Sequence, residues 1–316
     1  MVIHPTEILD PTSFSIERAA QLLVQGRLVS FPTETVYGLG ADATNESAVN
    51  AIYAAKGRPS FNPLIAHVFS VEMAKDYVEW SEVADVLASA FWPGPLTLVL
   101  PLKPHSAIAP TVTAGLDTLA IRLPAHPLAQ KLLEHTGRPV AAPSANPSGR
   151  ISPTTALHVF EGLNGKVDVI LDGGPCEVGL ESTIVGLAPT PTILRPGSIT
   201  ENDLETVLGH SMTHYQDGSH ISAPGQMLSH YAPNAEVRLN ADPFSQDELK
   251  LGFGAMECDL NLSEGGDLDE AARNLFYMLR QLDKNGQGKI AVAPIPNHGI
   301  GVAINDRLKR AAAPKD

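Results

Sequence analysis

The chain is poor in cysteine and in positive charge, and it has no long hydrophobic run. Its two cysteines, Cys176 and Cys258, are far apart and match no metal-ligand spacing. They read as reduced core thiols of a cytoplasm-like compartment, and a cytoplasmic location is expected. Lys and Arg number 22 against 35 Asp and Glu, for a formal charge of -13. A surface that acidic is a poor general partner for nucleic acid or anionic lipid, although it leaves room for a small basic pocket. No apolar stretch approaches the length of a membrane span. The N-terminal stretch carries Glu7, Asp10, Glu17 and Arg18 and lacks the apolar core of a secretory leader. Both familiar phosphate loops, G-x-x-x-x-G-K-[ST] and G-x-G-x-x-G, are missing. His210 and His214 are supported by no further ligand, so no zinc site is expected there. Asp267, Asp269 and Glu270 read as a solvated helix start. No Ser-His-Asp order or paired-carboxylate arrangement stands out.

Hydrophobic content of 43% is ample for a core, and 316 residues suffice for one large domain or two ordinary ones. Ile16, Ala19, Ala20 and Leu23 recur at helical spacing before Gly26. A strand is predicted over Leu28 to Phe31, and a helix from Asn45 with an apolar face of Ala48, Ile52 and Ala55. Further strands are predicted at 64–69, 96–100, 119–123, 140–143, 167–171, 182–187 and 192–194. Helices are predicted around Val83 to Ala90, Leu128 to His135 and Glu201 to Leu208. Strands outnumber helices and do not alternate strictly with them, which favours an α/β mixed sheet. From Gly209 to Gln226 periodicity fails, as in an ordered linker. Beyond Pro233 a second small α/β unit follows, with strands near 236–239, 250–254 and 290–293 and a helix through Ala272, Leu275, Phe276, Leu279 and Leu282.

Two short stretches carry most of the chemical information. Lys56-Gly57-Arg58-Pro59 sets two cations two positions apart where a helix ends, spaced to reach different oxygens of one polyphosphate. Pro143-Ser144-Ala145-Asn146-Pro147-Ser148-Gly149 is a loop of small hydroxyl and amide residues directly after an apolar strand. The stretch from Phe31 to Gly40 leaves a strand and is expected to turn at Gly38 and Gly40, offering the Thr35 hydroxyl and the Tyr37 ring. His67, Arg122 and Arg195 sit inside or beside apolar strands. A buried arginine needs an anion, supplied either by a carboxylate side chain or by a ligand.

These motifs, in this order, resemble the threonylcarbamoyl-AMP synthase family, the YrdC-like proteins, in the long form with a C-terminal extension. The resemblance rests on Pro32 to Gly40, Lys56 to Pro59, Asn62-Pro63-Leu64, Trp92 to Thr97, Arg122-Leu123-Pro124, Pro143 to Asn146, Glu181-Ser182-Thr183 and Leu194 to Gly197. Ser229-His230-Tyr231-Ala232-Pro233, Ala272 to Phe276 and Asn305-Asp306-Arg307-Leu308 extend it to the C-terminus. It implies a YrdC-like mixed twisted sheet with flanking helices over 1–208, a linker folded over the active site at 209–233, and a small Rossmann-like α/β domain over 234–316. It implies that L-threonine, bicarbonate and ATP become threonylcarbamoyl-adenylate and pyrophosphate, and that a partner enzyme passes the threonylcarbamoyl group to a tRNA adenosine. Magnesium would accompany ATP, with no protein ligand named. By the same resemblance Thr35, His67, Arg122, Ala142 and Ser182 contact threonine. Lys56, Arg58, Asn62, Thr118, Ser144, Ser152, Arg195 and Tyr231 contact ATP, and Lys56 and Arg58 are the residues expected to be catalytic. Two other readings stay open: an RNA-binding module without catalysis, and the carbamoyl-adenylating domain of a maturation enzyme. No stable nucleic-acid binding and no membrane association are expected.

Overall fold

The computed structural model describes residues 5–215, 223–226, 229–285 and 288–314, so 216–222 and 227–228 of the expected linker lie outside it. The chain opens with β1 (Glu7–Leu9), α1 (Ser13–Val24), β2 (Val29–Phe31), β3 (Gly38–Asp42), α2 (Glu46–Lys56) and β4 (Ile65–His67). There follow α3 (Val71–Tyr77), α4 (Glu82–Phe91), β5 (Leu96–Pro101), α5 (Pro110–Thr113), β6 (Thr118–Arg122), α6 (Pro127–Thr136) and β7 (Val140–Ala141). Next are α7 (Ala156–Leu163), β8 (Val169–Leu171), β9 (Thr183–Gly186), β10 (Thr192–Arg195), α8 (Glu201–Leu208) and β11 (Thr213–His214). The C-terminal unit holds β12 (Glu236–Arg238), β13 (Leu249–Gly252), β14 (Leu260–Asn261), α9 (Leu268–Leu282), β15 (Lys289–Val292) and α10 (Gly301–Ala311).

The first eleven strands form one sheet in the order β1-β8-β2-β3-β7-β4-β6-β5-β9-β10-β11. It is mixed, as predicted: β4 and β6 are parallel, whereas β3, β4 and β7 pair antiparallel. Strands β2 to β4 are buried at every residue, which explains why they read as apolar runs without alternation. The second sheet, β12-β15-β13-β14, is parallel throughout and packs on α9 and α10. Its core is shared with the larger unit, since Val36, Ile151, Leu180 and Tyr231 cluster with Leu275, Phe276 and Ile304.

Several local expectations need correction. Gly38 and Gly40 do not turn the chain; they belong to β3. A Cβ at Gly40 would lie 2.8 Å from the Phe31 ring and 2.9 Å from Val140, so these glycines serve close packing. Tyr37 offers no tip to a ligand: it is fully buried and its hydroxyl donates to the Gly174 carbonyl at 2.7 Å. β1, α3 and α7 were not read from the sequence. β11 pairs with β10, so the larger sheet takes two residues from the segment whose composition suggested a linker. Cys176 is buried, but Cys258 is only half-buried and is no core thiol.

Candidate functional site

The site lies where β4 and β6 end. Their parallel register sets His67 beside Arg122. Arg122 is 3% exposed and makes a bond with each side of its guanidinium: Nη2 to Glu34 Oε1 at 2.6 Å, Nη1 to Thr35 Oγ1 at 2.9 Å and Nε to the Gly94 carbonyl at 3.2 Å. Glu34 Oε2 accepts from the Ala125 amide at 3.1 Å. The anion that Arg122 requires is therefore a carboxylate of the same chain. Thr35 also meets the Thr33 hydroxyl at 2.7 Å, and Ser182 meets Thr97 at 2.7 Å. His67 is 3% exposed, and its Nδ1 has no hydrogen-bond partner among the described residues. Burial, then the charge of Arg122, pushes its pKa down to about 3, so the ring is neutral at ordinary pH.

The other half of the site is built on the end of α2. Asn45 caps its start, and Gly57 closes it in a left-handed conformation at φ 60°, turning Lys56 and Arg58 inward. Lys56 Nζ donates to the carbonyls of Ser144 at 2.6 Å and Asn146 at 2.5 Å. That ammonium ties the hydroxyl loop to the helix and does not line the cavity. Arg58 Nε and Nη2 donate to the Asn62 and Pro63 carbonyls at 3.2 and 2.9 Å. Arg195 donates twice to the Ser182 carbonyl, at 3.1 and 2.9 Å. Among the described residues, none of these three cations has a carboxylate within ion-pair distance. Burial lowers all three pKa values, that of Arg58 to about 10. His230 is held well below its usual value by burial and then by Arg58, Lys56, Arg195 and Arg307.

Between the halves is a cavity of about 50 Å³, walled by Thr35, Arg58, His67, Arg122, Ala142, Ser144, Ser182 and Arg195. Pro224, Gly225, His230 and Tyr231 from the linker complete the wall. A water needs roughly 10–15 Å³ of such volume, so the space holds a few waters and no nucleotide. Gly225 has φ +86°, and a Cβ there would sit 2.9 Å from the Tyr231 hydroxyl and 3.0 Å from Arg195. The linker thus reaches the cations closely enough that only glycine fits.

Of the expected site residues, Lys56, Asn62, Thr118 and Ser152 do not line the cavity. Thr118 opens β6 at the end opposite Arg122, where it pairs with Pro101 of β5. Ser152 is fully buried one step behind the wall and donates to Glu181. Sequence reasoning missed the roles of Glu34, Glu181 and Arg307. The signal for Glu34 was a carboxylate in an otherwise uncharged stretch, opposite an arginine in need of an anion. Among the described residues no cluster of three His, Cys, Asp or Glu side chains could hold a metal ion. No helix among them is long and apolar enough to cross a membrane.

A mixed α/β sheet with buried arginines and hydroxyls around one cavity defines the class of protein, a YrdC-like α/β fold. Two family models cover the chain: the Sua5, YciO and YrdC family, described as telomere recombination, over residues 21–197, and the C-terminal domain of threonylcarbamoyl-AMP synthase over 199–313. The chain belongs to the threonylcarbamoyl-AMP synthase family. The synthase of Pyrococcus abyssi is 43% identical over 323 residues, covering 95% of this chain and 94% of the relative. That of Bacillus subtilis is 42% identical over 334 residues, covering 98% and 96%. The crystal structure of P. abyssi Sua5 complexed with L-threonine superposes with a TM-score of 0.89 at 40% identity, covering 97% of this chain and 98% of that one. Full-length HypF, at 23% identity and a TM-score of 0.52, shares the fold over 57% of this chain.

Proposed function

We propose that the chain is an L-threonylcarbamoyladenylate synthase, joining L-threonine, bicarbonate and ATP into threonylcarbamoyl-AMP with release of pyrophosphate. One observation carries this reading: two buried arginines without a carboxylate partner, Arg58 and Arg195, face a pocket that also holds a paired arginine, a neutral histidine and hydroxyls. Uncompensated buried charge is costly unless a ligand completes it, and a triphosphate would.

Threonine would occupy the half made by Thr35, His67, Arg122, Ala142 and Ser182. Arg122 would present its guanidinium to the carboxylate while Glu34 keeps it oriented. ATP would lie along Arg58, Ser144 and Arg195, with Tyr231 over it and Asn62, Thr118 and Ser152 beyond the present wall. Lys56 would act through the Ser144–Asn146 loop and reach phosphate only by releasing its carbonyls. The threonine amine and bicarbonate condense to a carbamate with loss of water. The carbamate oxygen then attacks the α-phosphorus, and pyrophosphate leaves. The substrate supplies the nucleophile, so positioning and charge stabilisation by Arg58, Arg195 and Lys56 are what the protein adds. Magnesium would enter as the counter-ion of ATP. Glu181 on the cavity wall is paired with Arg307, and Glu34 behind it with Arg122, so no residue is assigned to the metal and no step is routed through it.

Because a cavity of about 50 Å³ is too small for ATP, 223–226 and 229–231 would act as a lid that withdraws for the nucleotide and returns over it, shielding carbamate and adenylate from water. The product would pass to a threonylcarbamoyl-transferase acting on tRNA. The charge of -13 disfavours RNA binding by this chain itself. Pyrophosphate release, with threonine, bicarbonate and ATP omitted in turn, tests the reading. All three should be required. Release without threonine, driven by carbamoyl phosphate, would instead favour a carbamoyl-adenylating enzyme.

A further inference from the structure

The C-terminal domain backs the wall of the proposed ATP site with side chains that include Arg307 and Phe276. Arg307 of α10 is 0% exposed. Its Nε lies 2.9 Å from Glu181 Oε2, its Nη1 is 2.7 Å from Asp306 Oδ2, and its Nη2 is 3.4 Å from the Glu181 carbonyl. The other oxygen of Glu181 accepts from the Ser152 hydroxyl. The face of the same guanidinium lies 5.4 Å from the centre of the Tyr231 ring. Phe276 of α9 stacks on that ring, 5.6 Å between centroids at 29°. Tyr231 is held at φ +61°, a left-handed conformation that a tyrosine adopts only when its surroundings impose it.

We propose that Arg307 is a positioning residue of the synthase reaction: it fixes Ser152, through Glu181, and Tyr231, through its ring, so that the C-terminal domain is a working part of the ATP site. This inference rests on the function proposed above. A plain tie between domains would have no preference for one substrate, whereas this contact does. The side-chain hydrogen bonds of Thr35 and Arg122 stay within the larger unit. Ser182, next to the Glu181 carbonyl that Arg307 meets at 3.4 Å, is held more closely by Arg195 and Thr97, at 2.9 and 2.7 Å. Loss of the Arg307 fork therefore falls on the nucleotide and spares the amino acid. Lysine at this position can keep one bond to Glu181, but it cannot also reach Asp306 and cover the ring.

The test is calorimetric titration of full-length Arg307→Lys with ATP alone and with threonine alone, beside a thermal melt. ATP affinity should fall by about tenfold or more, while threonine affinity stays within about twofold of the parent. A folded variant that binds ATP like the parent overturns the proposal. So does equal loss of both affinities, which marks a purely structural contact. If Arg307→Lys does not fold, Asp306→Asn replaces it: Glu181 stays paired, Nη1 loses its charged partner, and a smaller split in the same direction is expected. Absence of that split overturns the proposal equally. Failure of the underlying function is visible separately, in a parent protein that releases no pyrophosphate with all three substrates present.

Discussion

The two halves of the cavity are built on opposite principles. On the side of Arg122 every strong charge is already matched: Glu34 neutralises the guanidinium, Thr35 accepts from it, and the neutral His67 needs no counter-ion. On the side of Arg58 and Arg195 the cations hold backbone carbonyls and one hydroxyl, that of Ser182, and burial works against their charge. The first half would suit a zwitterion, whose own charges sum to zero, as the proposed function requires. The second is an uncompensated positive charge that a polyanion would complement, and Gly225, His230 and Tyr231 line the same wall. Net charge thus separates the two subsites more clearly than shape does.

The largest expected effect concerns the half around Arg122. A site that hydrogen-bonds a substrate hydroxyl rejects the analogue lacking it, so valine should turn over about ten-thousand-fold less efficiently than threonine. Comparable pyrophosphate release with valine would remove the hydroxyl from the account of specificity. Next in size, Glu34→Gln leaves Arg122 buried without its anion. Breaking one partner of such a pair costs about 3–5 kcal/mol, readable in denaturant unfolding. A loss below about 1 kcal/mol would mean that solvent or another group already compensates Arg122.

Much of this was visible in the sequence, and the boundary is instructive. Lys56 and Arg58 were legible because a helix C-terminus has a local signature, Gly57 followed by Pro59. The loop from Pro143 to Gly149 was legible because its composition is unlike that of its neighbours. The need of Arg122 for an anion could be stated, but not its partner, because Glu34 is 88 residues away and such pairing leaves no period. The same holds for Glu181 and Arg307, separated by 126 residues. The glycines of β3 were misread because a turn and a close approach ask for the same residue. Only the packing of Phe31 and Val140 against them tells the two apart.

On the nucleotide side the effects should be smaller and shared among several contacts. Tyr231→Ala removes the lid's aromatic surface and should weaken ATP binding by about 1–3 kcal/mol, measured by calorimetry, with little change for threonine. Unchanged ATP affinity would reduce 229–233 to a tether. Smallest is an expected constancy. His67 has a pKa near 3 in the fold against an ordinary 6.5. The unfolded chain therefore takes up the proton first as pH falls, so this residue erodes stability progressively from about pH 6.5 down to about pH 3 and contributes no pH dependence above about pH 7. Threonine affinity should accordingly show no step centred near pH 6.5. Such a step, abolished in His67→Asn, would mean that the ring titrates normally and that the pocket is wetter than its burial indicates.

The central claim is that one cavity holds two electrostatically distinct subsites. Calorimetric titration of Arg122→Lys and Arg58→Lys, each with threonine and each with ATP, tests it most directly. The account predicts a crossed result: Arg122→Lys loses about tenfold or more in threonine affinity and keeps ATP within about twofold, and Arg58→Lys does the reverse. Equal losses of both ligands in both folded variants, or no loss in either, would contradict it.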